Sequence, residues 1–326
     1  MGNLLVIVEL TQGKPVASSL ENLGLARGLA ATTGGSVSAL VFSGERALAE
    51  SLIARGADTV FSVAAPGAAE YNGDIWLAYA ERAASQAAPG VILAGHTTKG
   101  ADLAPRLAFR LKSAAATGCV AVAAEGGALH FTRACYGGNA RETLSFRTLP
   151  AVATVRSGIY DALPADAARR GEIIMLDGEL PVSRIHVLER HGDDGGQVRL
   201  EDARVIVAGG RGLNGPEGFG VLETLAGVLG GVVGASRVPC DLGWCSHSMQ
   251  IGLTGRTVTP DLYIAVGISG ASHHLAGCGG AKTIVAINID PEAAIFREAR
   301  FGLIGDFQKL VPALAAAVQA QGDGSP

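Results

Sequence analysis

The stretch from Ser236 to Asn288 collects the residue types that hold an anionic cofactor. Guanidinium, hydroxyl, amide and imidazole groups recur in it between short apolar runs such as LYIAVG and TIVAIN. Arg237 follows an apolar run, and the polar segment QIGLTG comes after it. In open α/β sheets, ligands bind at the carboxyl ends of parallel strands. We therefore predict that this stretch wraps a cofactor that carries phosphate.

A glycine pattern precedes this stretch. Gly210, Gly212 and Gly215 match G-x-G-x-x-G between a predicted strand and a predicted helix, the arrangement that holds a dinucleotide pyrophosphate. The chain has 46 glycines, so chance matches are common. An NAD site would have an acidic residue about 20 positions further on; here Arg237 ends the second strand, which suggests NADP. A surface arginine at a strand end is the competing interpretation.

Length and composition limit the possible classes of protein. A chain of 326 residues predicts two domains. The net charge is −4 and no basic stripe is present, so nucleic acid is not an expected partner. No long uncharged apolar run occurs, which predicts no membrane span. The chain enters a strand pattern at once, without the features of a signal peptide, so we expect a cytoplasmic protein.

The five cysteines are odd in number and scattered, and none belongs to a C-x-x-C motif. They are Cys119, Cys135, Cys240, Cys245 and Cys278. We predict reduced, mostly structural thiols. The spacing argues against a redox dithiol.

In the first half of the chain, apolar runs alternate with segments of helical periodicity. The predicted strands are Leu4–Glu9, Val37–Phe42, Thr59–Val63 and Gly90–Gly95, and the predicted helices are Ser18–Thr32, Glu45–Arg55, Asp74–Ala87 with Asp74 as its cap, and Thr98–Leu111. From Gly118 the pattern changes to short pieces that suggest antiparallel or mixed strands, namely CVAVAAE, LHFTRACYGG, ETLSFRT and AVATVRSG. Turns are predicted at Gly126-Gly127 and Gly137-Gly138-Asn139, and weak helical character follows at Ala165–Arg169.

The second half restarts the alternation of strands and helices. The predicted strands are Arg204–Ala208, Val232–Ala235, Asp261–Val266, Thr283–Ile287 and Phe301–Ile304, and the predicted helices are Phe219–Leu229 and Leu310–Gln319. The fold class that we predict is α/β, with two domains, each built on a mainly parallel sheet flanked by helices. We place the domains at residues 1–190 and 201–326, joined by a charged, glycine-rich linker at 191–200.

Several blocks of the second half occur in the order found in one family. They are GGRGL (Gly209–Leu213), GASR (Gly234–Arg237), MQIGLTG (Met249–Gly255), PDLYIAVGISGA (Pro260–Ala271), HLAG (His274–Gly277), KTIVAINIDPEA (Lys282–Ala293) and FGLIGD (Phe301–Asp306). Together they resemble the Rossmann-like FAD-binding domain of the electron transfer flavoprotein alpha subunit. YGGNA (Tyr136–Ala140) and ATVRSG (Ala153–Gly158) resemble the amino-terminal domain of the same family more weakly.

The resemblance implies an electron carrier rather than an enzyme with its own substrate. FAD would occupy the second domain, and the first would serve the interface with a beta subunit, which contributes to the flavin site and binds AMP or a second FAD. Electrons would come from an acyl-CoA dehydrogenase-type flavoenzyme and pass to a quinone oxidoreductase or another acceptor. From the residues alone, an NADP-dependent oxidoreductase and an interaction module without flavin remain as alternatives.

The resemblance also implies which residues bind FAD. They are Arg211, Gly212, Ser236, Arg237, Gln250, Gly252, Thr254, Gly255, Gly267, Ser269, Gly270, Ala271, His274, Asn288 and Asp306. By the same resemblance, Arg211 and Ser236 serve the adenine and pyrophosphate end, while Asn288 and Asp306 hold the adenosine portion. The turn of residues 269–271 holds the pyrophosphate or the ribityl chain.

Four residues are implied at the flavin end. Gln250 and Thr254 line the ribityl and flavin region, with the Thr254 hydroxyl near N5, and His274 faces O2. Arg237 approaches the ring system and offers a permanent positive charge to a half-reduced flavin. At ~4 Å and an effective dielectric of ~20 that attraction is worth about 4 kcal/mol, which sets an upper bound on the order of 170 mV for its effect on the potential. A buried histidine bonded to a backbone carbonyl is the alternative for His274.

Three departures from the family pattern concern the same region. Leu253 stands where the family commonly has glutamine, and Ser272-His273 replaces an Ile-Gln pair. The segment Trp244–Ser248 differs from the usual Pro-Asn-Asp type. These departures leave open the tuning of the flavin and the identity of the electron donor.

Overall fold

The computed structural model describes residues 2–65, 67–136, 140–176, 178, 182–185, 187–189 and 199–322. The chain divides into two compact units, Met1–Gly192 and Asp193–Pro326. Residues 191–198 of the predicted linker, and the glycines and asparagine of YGGNA, lie outside the described residues. Leu200 is buried in the core of the second unit. Among the described residues, no helix has the length and apolar character needed to cross a membrane.

The first unit is built on a nine-stranded sheet in the order β11-β5-β4-β1-β6-β10-β7-β8-β9, with a small β2-β3 hairpin. The strands are β1 (Asn3–Val8), β2 (Leu10–Thr11), β3 (Lys14–Pro15), β4 (Val37–Val41), β5 (Thr59–Ser62), β6 (Pro89–Gly95), β7 (Ala115–Glu125), β8 (Ala128–Cys135), β9 (Ala140–Leu144), β10 (Ala151–Val155) and β11 (Glu172–Met175). The helices are α1 (Ala17–Thr33), α2 (Arg46–Ala54), α3 (Gly73–Ala87) and α4 (Thr98–Arg110).

Continuous apolar runs form the centre of this sheet because both faces are covered by helices. Leu4, Val6 and Val8 of β1 face one buried cluster with α1 and α2. Leu5 and Ile7 face the other cluster, which α3 and α4 complete. The parallel α/β fold predicted for this unit is confirmed.

Some details differ from the predictions. Strand β10 is parallel to both β6 and β7, so AVATV belongs to the parallel core of the sheet. Strand β11 was not predicted; it extends the sheet by pairing with β5. The predicted helical segment at Ala165–Arg169 is a turn, in which the Asp166 side chain accepts a hydrogen bond from the amide of Ala168 at 2.9 Å.

The hairpin between β7 and β8 follows a common rule for two-residue loops. Gly126 and Gly127 both have positive φ, at 57° and 80°. Type I′ turns require this conformation, and their twist matches that of antiparallel strands. The turn predicted at Gly126-Gly127 is confirmed.

The second unit contains a five-stranded, entirely parallel sheet in the order β13-β12-β14-β15-β16. The strands are β12 (Val205–Gly209), β13 (Val232–Ala235), β14 (Leu262–Val266), β15 (Thr283–Asn288) and β16 (Phe301–Ile304). The helices are α5 (Gly218–Val228), α6 (Arg237–Asp241), α7 (Ser272–Cys278) and α8 (Phe307–Gly322). The chain runs outward from β12 to β13 and returns to β14, so the topological switch point lies between β12 and β14.

The two short helices of this unit were not predicted. Helix α6 has five residues, too few for a periodic pattern, and it contains Pro239. Helix α7 has seven residues and contains Gly277 and two histidines, which are weak helix formers. Helix α6 follows β13 after one residue, helix α7 follows β14 after a five-residue loop, and both carry side chains of the cleft described below.

The start of α3 was also predicted incorrectly. Its N-cap is Asn72, whose side-chain oxygen accepts hydrogen bonds from the amides of Asp74 at 3.0 Å and Ile75 at 3.3 Å. Asp74 lies inside the first turn, where its carboxylate pairs with Arg106 at 2.5 Å. This pair holds the pKa of Asp74 below its usual value.

We expect Asn72→Ala to lower the free energy of unfolding of the first unit by about 1 to 2 kcal/mol, because two helix amides lose their acceptor. Urea denaturation monitored by circular dichroism measures this loss. Glu45→Ala is the matched control, since Glu45 precedes α2 without a side-chain cap bond. Equal destabilisation by both substitutions would contradict the capping role of Asn72.

Candidate functional site

A cleft of about 1040 Å³ opens at the carboxyl ends of β12, β13, β14 and β15. Ligand sites in proteins commonly have volumes of ~300–1,000 Å³, so this cleft is large enough for a dinucleotide. Most of the predicted site residues line it: Arg211, Gly212, Ser236, Arg237, Gln250, Gly252, Thr254, Gly267, Ser269, Ala271, His274 and Asn288. Gly255, Gly270 and Asp306 are not among its lining residues.

Two glycine loops meet at the switch point and form one end of the cleft. The amide of Gly212 donates to the carbonyl of Gly267 at 3.0 Å. A Cβ atom on Gly210 would lie 2.2 Å from the same carbonyl oxygen, so a larger residue does not fit there. Gly215, the third glycine of the pattern, meets only the side chain of Glu217. The first two glycines are therefore required by this close contact, and the third is not.

Charged groups at the cleft favour an anion. The charged side chains among the lining residues are those of Arg211, Arg237 and Asp290. Arg237 is the first residue of α6; its side chain is 65% exposed, and its Nε lies 3.0 Å from Asp241 Oδ2. Arg211 begins the turn after β12 and is also exposed. Two guanidinium groups beside one carboxylate suit a pyrophosphate.

Gln250 and Thr254 form a pair at the cleft. Gln250 is buried, and its Nε2 donates to the Thr254 hydroxyl oxygen at 3.0 Å. Because that oxygen accepts from Gln250, the hydroxyl proton is left to be donated elsewhere. The loop is fixed to the sheet by the amide of Ile251, which donates to the carbonyl of Ala235. Gly255 lies behind the pair, where a Cβ would be 2.4 Å from the carbonyl oxygen of Gln250.

His274 is buried, and protein groups contact both of its ring nitrogens. Nδ1 lies 3.1 Å from the carbonyl oxygen of Ile251, and Nε2 lies 2.9 Å from the hydroxyl of Tyr263. A carbonyl can only accept, so Nδ1 carries the proton and Nε2 accepts from Tyr263. Burial lowers the pKa of His274 to about 4, although the bond to Ile251 opposes this shift. His274 is therefore a neutral imidazole at pH 7.

The amide of Asn288 connects two loops at the far end of β15. Its Nδ2 donates to the carbonyl of Ile268 at 2.9 Å, and its Oδ1 accepts from the amide of Asp290 at 3.1 Å. Asn288 also lines a smaller cleft of about 260 Å³ together with Asp306. Asp306 lies at the start of α8, where its carboxylate accepts from the amide of Gln308 at 2.9 Å.

Gly270 lies behind the loop that follows β14. A Cβ on Gly270 would lie 2.2 Å from the backbone nitrogen of Ile295. The amide of Ile295 also donates to the carbonyl of Ser269 at 3.0 Å. Ser269 and Ala271 are exposed on the cleft side of this loop.

The structure adds an apolar wall that sequence reasoning missed. Val238, Leu242 and Leu253 line the cleft with exposed fractions of 41%, 56% and 57%. Trp244 lines it as well. Exposed aliphatic groups beside cationic ones suit a ligand with a flat apolar part and a phosphate part. Val238 and Leu242 could not be found from the sequence because the short helix α6 was not predicted.

Comparisons with known proteins agree with this arrangement. Residues 4–179 match the family model of the electron transfer flavoprotein domain. Residues 199–279 match that of the electron transfer flavoprotein FAD-binding domain.

Curated relatives match nearly the whole chain. The electron transfer flavoprotein subunit alpha of Thermoanaerobacterium thermosaccharolyticum is 41% identical over 314 residues, 95% of each chain. That of Bacillus subtilis is 39% identical over 311 residues, again 95% of each chain. The protein FixB of Clostridium saccharobutylicum is 35% identical over 95% of this chain and 94% of its own.

The chain belongs to the electron transfer flavoprotein alpha-subunit family. The resemblance stated from the sequence blocks is thereby confirmed, as is the two-domain α/β fold with a Rossmann-like second domain. The cleft lies in the unit that contains the FAD-binding match. Asn288 and Asp306 lie beyond the end of that match at residue 279.

We expect acid to destabilise the second unit through His274. Its pKa is about 4 in the folded chain, against 6.5 for an unperturbed histidine, so the unfolded chain binds more protons between these pH values. Stability is thus present above pH 6.5 and is lost as pH falls toward 4, by roughly 3 kcal/mol at most. Urea denaturation between pH 7 and pH 4.5 measures this loss.

Two substitutions isolate the contribution of His274. His274→Gln removes the titrating group, so the pH dependence of unfolding should become shallower. His247→Gln, at an exposed histidine of the same unit, should leave the pH dependence as it is. An unchanged slope in His274→Gln would show that other groups cause the acid sensitivity.

Proposed function

We propose that this chain is the FAD-binding subunit of a heterodimeric electron transfer flavoprotein. In this proposal it receives electrons from an acyl-CoA dehydrogenase-type flavoenzyme and passes them to a quinone oxidoreductase or another acceptor. The observation that carries the proposal is the 1040 Å³ cleft, with two guanidinium groups and an apolar wall, in the FAD-binding domain. Bound FAD would supply the redox chemistry.

The residues of the cleft fit FAD by their chemistry. Arg211 and Ser236 would bind the pyrophosphate and adenine end, because they offer a cation and a hydroxyl beside the glycine contact at the switch point. Arg237 and Thr254 would face the flavin. The exposed wall of Val238, Leu242 and Leu253 offers an apolar surface to the ring system.

Arg237 has the strongest influence on the electron affinity of the bound cofactor in this proposal. A guanidinium cannot lose its proton in a protein, so it lowers the free energy of added negative charge at any physiological pH. Its side chain is 65% exposed and pairs with Asp241, so both solvent and the carboxylate weaken the electric field of the guanidinium. The effect should therefore lie well below the limit of about 170 mV that an unscreened guanidinium at ~4 Å would give.

Thr254 and His274 have different roles in the same proposal. The Thr254 hydroxyl can donate a proton into the cleft because Gln250 occupies its oxygen. His274 is neutral, and both of its nitrogens already have protein partners. It would hold the flavin-side loop in place through Ile251. Flavin O2 can only accept, so a hydrogen bond to it would require the Nδ1 proton to leave the carbonyl of Ile251.

The companion chain of the heterodimer would be a beta subunit. The names of the relatives from Thermoanaerobacterium and Bacillus describe an alpha subunit, which implies a companion chain. In the proposal the first domain serves the interface with that chain, and the beta subunit binds AMP or a second FAD. We expect the complex to be cytoplasmic.

Absorption spectroscopy tests the cofactor. The chain is co-expressed with an electron transfer flavoprotein beta subunit, and the purified complex is expected to show oxidised-flavin bands and to release FAD when it is denatured. A colourless complex that binds NADP would instead support an oxidoreductase that uses Gly210, Gly212 and Arg237. A colourless complex that binds neither would indicate an interaction module.

Arg237→Ala should leave FAD bound but lower the midpoint potential of the first electron by tens of millivolts, because one positive charge beside the flavin is lost. Stepwise dithionite titration against reference dyes measures the potential. Arg204→Ala is the matched control, since Arg204 is an exposed arginine of the same unit that pairs with Asp261 and does not line the cleft. Equal potentials in Arg237→Ala and Arg204→Ala would overturn the role of Arg237.

A further inference from the structure

Two thiols meet behind the apolar wall of the cleft. The Sγ atoms of Cys240, in α6, and Cys245 are 3.5 Å apart, and both cysteines are free. From the sequence, these cysteines are predicted to be reduced and mostly structural, and their spacing argues against a redox dithiol. The structure nevertheless places their sulfur atoms in contact.

The end of α6 explains why these thiols meet. Gly243 has a φ of 73°, in the left-handed region. Its amide donates to the carbonyl of Cys240, and the amide of Trp244 donates to the carbonyl of Pro239, each at 2.9 Å. These bonds form the Schellman motif, which reverses the chain after a helix. The reversal brings Cys245 back against the helix, so its sulfur reaches Cys240 although only four residues separate the two cysteines.

The environment of the pair gives the two sulfur atoms different access. Cys240 is buried, and its sulfur also lies 3.6 Å from the carbonyl oxygens of Ser236 and Ser246. Cys245 is partly exposed. Leu242 and Trp244, which lie between the two cysteines in sequence, both line the cleft. A bond between the sulfurs would therefore close a small ring in the cleft wall.

We propose that Cys240 and Cys245 are a redox-modifiable dithiol that closes to a reversible disulfide in the wall of this cleft. The sulfurs must approach by roughly 1.5 Å to reach the ~2.05 Å length of a disulfide bond. The two sulfur atoms already face each other across the turn that ends α6, so only that turn has to move for the disulfide to form. The proposal is independent of which cofactor the cleft holds.

A low-molecular-weight disulfide is the oxidant that the proposal requires. Cys245 loses its proton to solvent, and its sulfur attacks one sulfur of the oxidant, which releases one small thiolate and leaves a mixed disulfide. Cys240 loses its proton in turn and attacks Sγ of Cys245, which releases the second small thiolate. The two cysteines lose two electrons in total, and the oxidant is reduced to two thiols.

The thiols are protonated in the resting protein. Burial raises the pKa of Cys240 to about 12, and burial also raises the pKa of Cys245. The thiolate is the attacking species, so exchange should be slower than at redox cysteines whose pKa is lowered. The pair should therefore stay reduced unless a disulfide oxidant persists.

Peptide mapping of the purified complex tests the proposal, whichever cofactor it holds. The reduced complex is incubated with oxidised glutathione, its remaining thiols are alkylated, and the chain is digested with trypsin. Cys240 and Cys245 share the tryptic peptide 238–256, whereas Cys119, Cys135 and Cys278 each lie on a different one. The expected result is that 238–256 lacks two hydrogen atoms and carries no alkyl group, while dithiothreitol restores alkylation at both sites.

Two outcomes would overturn the proposal. In one, both cysteines of peptide 238–256 are alkylated after oxidation. In the other, Cys245 carries glutathione while Cys240 is alkylated, which would mean that the ring does not close. Because the test uses the unmodified sequence, it does not depend on whether a variant folds.

Two variants serve as controls. Cys245→Ser should leave Cys240 alkylated under the same treatment, because its partner is missing. Cys135→Ser, at a partly exposed cysteine outside the pair, should still form the disulfide in peptide 238–256. If the disulfide in peptide 238–256 were lost in Cys135→Ser, its formation would depend on Cys135, and the proposal would be overturned.

Discussion

The contact between two glycine loops determines where the cleft can form. Gly210 and Gly212 pack against Gly267, backbone on backbone, at the ends of the two central strands. A Cβ atom on Gly210 or Gly212 would come within 2.2 or 2.8 Å of the facing loop, so any side chain there would push the loops apart. The carboxyl ends of β12, β13, β14 and β15 then surround an open space. The positions of the arginines, hydroxyls and apolar groups that line the cleft all depend on how closely the two loops pack.

The buried and partly buried polar side chains Gln250, His274 and Asn288 bind other groups of the protein. Gln250 donates to Thr254 within one loop, whereas the bonds of His274 to Ile251 and of Asn288 to Ile268 connect segments 23 and 20 positions apart. Unpaired polar groups are costly when buried, which explains why these side chains bind the protein itself. The groups left for a ligand are the exposed ones, above all Arg211 and Arg237. The site therefore separates positioning residues from binding residues.

The sequence predicts the sheet well and the site partly. Apolar runs located the central strands to within about one residue, because parallel strands are buried on both faces. Helices α6 and α7 are too short for periodicity to be detected. Contacts between distant segments could not be predicted either. The state of His274 depends on Tyr263 and on the carbonyl of Ile251, and neither is evident from the sequence near it.

The neutral state of His274 limits how this chain can control charge in the cleft. A protonated imidazole would add a second cation beside Arg237, but burial holds the pKa of His274 at about 4. Positive charge near the apolar wall therefore comes from Arg237, which is largely exposed and paired with Asp241. The strength of such a charge depends on the dielectric around it. Any surface that covers Arg237 would strengthen its field without changing a residue of this chain, so the electron affinity of a bound cofactor would depend on what covers the cleft.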